Sequence, residues 1–132
     1  MMVDDFSLVA ITRAISPTRV ANDTPLVSEV IDIGKYRSLL FAISTGTLAD
    51  ADATFAALVE YSEDGVTFEA CPDDYLIGTE SGASFTFADD DETRKIGYIG
   101  PRRYVRLTIT PTNNGGNADI AAVAIQGRPY RS

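Results

Sequence analysis

Two short runs place carboxylates at the alternating spacing with which a loop wraps a divalent cation, Asp50-x-Asp52-x-Thr54 and Asp89-x-Asp91-x-Thr93. A calcium loop also needs glycine at its sixth position for the sharp turn and glutamate at its twelfth to close the cage. Phe55 and Arg94 stand at the two sixth positions, and neither twelfth position is Glu, so a weakly held surface cation is the most these runs offer. Glu60 and Glu63 are a pair of acids of the kind glycoside hydrolysis uses, but solvation of a surface is the simpler role for them. Gly78-Thr79-Glu80-Ser81-Gly82 is not a nucleophile elbow, because Ser81 is misplaced and the chain contains no His to activate it. With no His, the commonest general base and the commonest transition-metal ligand are both missing. Phosphate-loop, dinucleotide and zinc spacings are absent as well. The reading from these residues is a protein that is not an enzyme, with no catalytic residue, no cofactor and no metal.

Cys71 is the single cysteine, so no disulfide within the chain can staple the fold and packing must hold it. The six tyrosines (Tyr36, Tyr61, Tyr75, Tyr98, Tyr104 and Tyr130) could stack on sugars. In β-proteins such rings more often pack at sheet edges or interfaces, and there is no Trp to strengthen a sugar platform.

The net charge of −8 is unevenly spread. Leu48 to Glu92 holds thirteen acids and no Lys or Arg, whereas Thr93 to Ser132 holds Arg94, Lys95, Arg102, Arg103, Arg106, Arg128 and Arg131 against Asp119 alone. The overall negative field repels a polyanion, and the Arg residues are interleaved with strand positions instead of massed in a tail, so no nucleic acid is expected as partner. No apolar run approaches the roughly 18 residues a membrane helix needs, so no membrane partner is expected either. The two oppositely charged segments are expected to lie against each other or against a neighbouring subunit.

These side chains sit on a chain of strands. Phe6 to Ile15 reads as a first strand stopped by Ser16-Pro17, and Leu26 to Ile33 as a second of mixed pattern. Ser38 to Ser44 reads as a central strand and Thr54 to Tyr61 as its successor. Asp64-Gly65 marks a tight hairpin, because Asp-Gly readily takes the positive φ such turns need. Tyr75 to Thr79 and Ser84 to Phe87 are short strands. Lys95 to Ile99 and Tyr104 to Ile109 form a hairpin about Gly100-Pro101, closed by Pro111, and Ile120 to Gln126 is the last strand. Eight to ten short strands and no convincing helix predict one all-β domain over residues 1–132, a β-sandwich of jelly-roll type with a short N-terminal arm at about 1–6. Its core is predicted to hold Leu39, Phe41, Ile43, Phe55, Val59, Val105, Leu107, Ile109, Val123 and Ile125.

Four stretches carry a family resemblance: Ile31–Leu39 (IDIGKYRSL), Thr45–Phe55 (TGTLADADATF), Leu76–Glu80 (LIGTE) and Ile96–Thr108 (IGYIGPRRYVRLT). Together they resemble a family of small structural proteins encoded in the head operons of tailed bacteriophages, and the likeness runs from about Leu8 to Pro129. It implies a virion component on the capsid exterior, a β-sandwich decoration (cement) protein that binds and stabilises the assembled head shell. Its partners would be the major capsid protein and further copies of itself, with a trimer as the expected oligomer. A head-fibre base, or a tail-associated carbohydrate-binding sandwich for host attachment, is the alternative. No functional residue comes with the resemblance. The candidate assembly interface rests on charge instead: Asp89, Asp90 and Asp91 precede a strand, and Arg102 and Arg103 follow it. Clusters at opposite ends of an extended segment are set to meet a neighbour's charges and not each other.

Overall fold

Leu39, Phe41 and Ile43 alternate with Leu40, Ala42 and Ser44, and this period of two builds β4 (Tyr36–Leu48) at the middle of one sheet. The computed structural model describes residues 6–129. The expected N-terminal arm lies outside them except for Phe6, which opens a turn. β4 pairs with β11 (Ala118–Pro129) on one side and β9 (Thr93–Tyr98) on the other. β1 (Val9–Val20) lies outside β11 and β7 (Leu76–Ile77) outside β9, which completes a five-stranded antiparallel sheet A. Sheet B is built on the pair β10 (Tyr104–Thr112) and β5 (Thr54–Ser62). β2 (Leu26–Val27) and β3 (Ile31–Asp32) pair with β10, while β6 (Glu69–Ala70) and β8 (Phe85–Thr86) pair with β5. The orders β1-β11-β4-β9 and β2-β10-β5-β6 are those of a jelly roll, as expected, with β7 added at one edge.

The inward faces of the two sheets supply one core. Phe41, Ile43, Ile96 and Tyr98 from sheet A and Phe55, Val59, Leu107 and Ile109 from sheet B are each at most 1% exposed. Phe55 stacks on Phe85 at 5.0 Å between ring centres, which fixes the short β8 against β5.

Several sequence expectations need correction. Ser16-Pro17 does not stop β1, which continues to Val20 through register shifts between Arg13 and Ile15 and between Ile15 and Thr18. An edge strand absorbs proline in this way because a bulge takes up the lost pairing. Leu26 to Ile33 is broken in two at Ser28. There the Ser28 amide donates to Leu107 O and the Ser28 hydroxyl accepts from the Leu107 amide (2.8 Å each), so a side chain completes the ladder. Lys95 to Ile99 and the strand after it are not a hairpin, because β9 belongs to sheet A and β10 to sheet B. Gly100-Pro101 is the corner that carries the chain across. The Tyr98 hydroxyl clamps it, donating to Arg102 O (2.9 Å) and accepting from the Arg102 amide (3.0 Å). A Cβ at Gly100 would lie 2.6 Å from that ring, so only glycine fits. Pro111 does not end its strand either; it pairs with Phe55 beyond Leu26↔Ile109, where β2 has already stopped.

The largest correction concerns β11. Val123 is 37% exposed and Ile125 is only partly buried, whereas Ile120, Ala122 and Ala124 face the core. Ala124 lies beside Phe41 and Ala122 beside Ile43, so small side chains on β11 make room for large ones on β4. Gln126 follows in the same inward phase. Its amide is satisfied there, accepting from the Thr12 hydroxyl (3.0 Å) and donating to Asp32 O (3.4 Å). A four-residue helix α1 (Glu80–Ala83), which the sequence did not announce, is capped by the Thr79 side chain.

Candidate binding surfaces

The acidic and basic segments do lie against each other. Arg106 of β10 pairs with Glu60 of β5 (3.1 Å), and Arg102 reaches Glu69 (3.4 Å) and Glu63 (3.8 Å). Arg103 forms a two-pronged pair with Asp32 (2.8 Å for both bonds), which holds the Asp32 carboxyl below its ordinary range. Arg94 bridges Asp89 and Glu92 (2.8 Å each).

The expected interface residues therefore occupy opposite ends of β9, and Asp89, Arg102 and Arg103 have ion-pair partners within the chain. The structure does not bring Asp89, Asp90 and Asp91 together with Arg102 and Arg103. The acidic turn is anchored to β4: the Thr45 hydroxyl donates to Asp89 O (2.6 Å) and accepts from the Glu92 amide (3.0 Å). Asp90 and Asp91 are exposed, and Asp91 takes a positive φ of 55°. At the other end, Arg102 lies over the Tyr61 ring at 4.1 Å and Arg103 over Tyr104 at 5.3 Å.

The remaining candidates serve the backbone. Asp50 accepts from the amides of Asp52 and Gly115 (2.9 and 2.7 Å) and so pins the loop between β10 and β11. Among the described residues, no group of three or more His, Cys, Asp or Glu is placed to hold a metal ion. Glu60 accepts from Thr108 as well as Arg106, and Glu80 accepts from the Val59 amide (2.8 Å). Cys71 is buried, and burial together with Glu80 and Asp73 pushes its thiol up to about 11, far from the thiolate a nucleophile needs. The tyrosine rings are largely consumed by packing. Tyr61 meets Tyr98 edge-on at 6.4 Å and Tyr75 at 6.1 Å, and burial pushes the Tyr98 hydroxyl up to about 12. Tyr130 lies outside the described residues.

Sequence reasoning missed the outer face of sheet A. One register row runs across all five strands as Ile11, Ile125, Leu40, Gly97 and Ile77, with Ile11 68% and Ile77 57% exposed. The next row holds Arg13, Val123, Ala42 and Lys95. No carboxylate stands in either row. A Cβ on Gly97 would lie 3.2 Å from Ile77 Cβ, so glycine lets Ile77 close over the strand and keeps the surface smooth. Farther along the same face, Pro17, Thr18, Arg19, Ser44, Gly46 and Asp119 border a shallow hollow of about 510 Å³. The Arg19–Asp119 pair (2.7 Å) forms its rim. Alternation along Ile120 to Gln126 shows only that Val123 and Ile125 share a face; the inward phase of Ala122 and Ala124 turns that face outward.

No family model matches the chain, and no curated protein matches it in sequence. Among solved structures, the fold is shared with part of the Clostridium thermocellum N-terminal endo-1,4-beta-D-xylanase 10B, crystallised as its CBM22-1 and GH10 modules with xylohexaose. That match is 14% identical over 94% of this chain and 25% of the other, with a TM-score of 0.50. The SPBc2 prophage-derived protein YomS is 13% identical over 89% and 93% of the two chains, with a TM-score of 0.47. The C-terminal domain of a chitobiase from Bacteroides fragilis is 22% identical over 83% and 68%, also at 0.47. At 14% identity the likeness to the xylanase is one of fold alone.

Proposed function

We propose that the chain is a bacteriophage virion structural protein that acts by binding and not by catalysis, decorating the outside of an assembled head. The carrying observation is the outer face of sheet A, which is apolar, carries Arg13 and Lys95, and has no carboxylate in its two central rows. The family resemblance of Ile31–Leu39 and Ile96–Thr108 supports the same reading. Five strands at about 4.8 Å spacing and three rows of side chains, the two above and the row of Val9, Gly127 and Ser38 beside them, give a patch of about 400 Å². A stable interface takes about 800 Å² per partner, so one patch alone binds weakly. On a repeating shell, many copies of a weak contact suffice. The major capsid protein is the proposed partner, through an apolar surface edged with carboxylates. Arg102 and Arg103, just beyond the end of β9, enter this proposal as rim charges that steer the encounter.

A second reading has its own observation. The hollow edged by Arg19, Asp119, Thr18 and Ser44 presents hydrogen-bonding groups of the type a sugar takes, on the fold shared with the xylanase module. Among the described residues no aromatic side chain lines it, which favours the first reading. Two experiments separate them. Heads assembled without the chain should lose heat resistance and regain it on adding the purified protein, and a glycan array should stay blank. Failure to add back, with heads as robust as complete ones, removes the decoration reading, and a specific glycan signal installs the second.

A further inference from the structure

We propose that the open edge of β1 pairs with β1 of a second copy about a two-fold axis at Ile11, joining two sheets A into one continuous ten-stranded sheet. The Arg128 amide donates to Leu8 O (3.3 Å), which turns Leu8, and by alternation Ala10 and Thr12, toward β11. The N–H and C=O of Val9, Ile11 and Arg13 therefore point to the open side, where β1 has no strand partner among the described residues. A strand edge of this kind is a template for another chain unless it is blunted. The blunting devices of β1 all lie farther along: the register shifts at Arg13/Ile15 and Ile15/Thr18, Pro17, and the Glu29 amide on Ala14 O (2.9 Å). Among the described residues, Val9 to Arg13 has none but the charge of Arg13.

This stretch is complementary to itself. Antiparallel pairing centred on Ile11 sets Ile11 opposite its copy, Val9 opposite Arg13 and Ala10 opposite Thr12, so no like charges face each other. The outward groups fall in register as hydrogen-bonded pairs at Ile11↔Ile11 and twice at Val9↔Arg13. Phe6, Leu8 and Ile11, exposed at 92%, 41% and 68%, lie at or beside the joint and supply the apolar area. The edge makes a pair, in place of the trimer expected from the resemblance. It also doubles the open face to about 800 Å² per assembly, the size of one side of a standard interface. The dimer stands without the shell-binding reading; only this last consequence rests on it.

Sedimentation equilibrium of the full chain tests the proposal, with amide hydrogen exchange read in parallel. The wild-type chain should form dimers, and exchange at Ile11 should slow as concentration rises. Ile11→Pro, whose lost N–H served no bond within the subunit, should be monomeric with an unchanged circular dichroism spectrum. Ile11→Lys keeps the backbone donor but sets two ammonium groups side by side, and should weaken the dimer while leaving the fold intact should the proline variant not fold. A wild-type chain that stays monomeric, one whose Ile11 exchange is independent of concentration, or a folded Ile11→Lys chain that dimerises as well as wild type, overturns the proposal.

Discussion

The outer faces of the two sheets obey opposite rules. On sheet B the charged side chains are answered within the chain: Arg106 by Glu60 and the Phe68 ring (4.2 Å), Asp32 by Arg103 and Glu69 by Arg102, the last two arginines reaching in from the corner before β10. The central rows of sheet A instead carry Ile11, Ile125, Leu40, Val123 and Ile77 outward, with two cations and, among the described residues, no acid to answer them. A face that satisfies itself contributes to stability, whereas a face left apolar and open gains only when something covers it. Under the proposed function, this difference gives folding to one side of the sandwich and association to the other.

The strongest way to break this contrast is to place acid on the open face. Leu40→Glu with Ile125→Glu should abolish binding to heads in a co-sedimentation assay while circular dichroism remains that of the wild type. Unaltered binding would move the contact elsewhere. The matching change on sheet B is Glu60→Ala, which strands Arg106 and Thr108. It should cost about 1–3 kcal/mol in urea unfolding and leave head binding unchanged. A loss of binding at equal stability would erase the distinction between the faces.

Acid titration sharpens the comparison at a smaller scale. Asp64 accepts from the amides of Val66 and Thr67 and from the Ser62 hydroxyl, which lowers its carboxyl from 3.8 to about 2. Asp32 is lowered by Arg103. A carboxyl lowered on folding contributes stability above its unfolded value and loses it as pH falls through its folded one. The unfolding midpoint should therefore hold steady down to the ordinary carboxylate range and fall between pH 3.8 and about 2. Asp64→Asn should reduce that fall; an equal fall in the variant would place the titration elsewhere. The smallest effect belongs to Arg102→Glu with Arg103→Glu. As rim charges they should slow association with heads and flatten its salt dependence, with dissociation little changed. Faster dissociation alone would make them core contacts.

The jelly roll was legible because β4, β5 and β10 alternate cleanly, and eight of the ten predicted core residues are buried on those three strands. Val123 and Ile125 misled because hydrophobicity names the inward face only where the opposing sheet has room for large side chains. Beside Phe41 and Ile43 it had room only for Ala124 and Ala122. The Gly100-Pro101 corner looked like a hairpin because a tight turn and a crossing between sheets use the same residues. What separates them is the reach of Tyr98 to Arg102, a tertiary contact. The open face was hidden for the same reason as the β11 phase, since a row across five strands has no trace in any one of them.

Side-chain footprinting by carbene labelling, with and without assembled heads, tests the central claim most directly. Ile77 and Val123 report on the open face of sheet A, and Val66, 81% exposed at the turn between β5 and β6, reports on the self-satisfied side. The account predicts that heads shield Ile77 and Val123 and leave Val66 labelled as in the free protein. Shielding of Val66 with Ile77 and Val123 still open would contradict it.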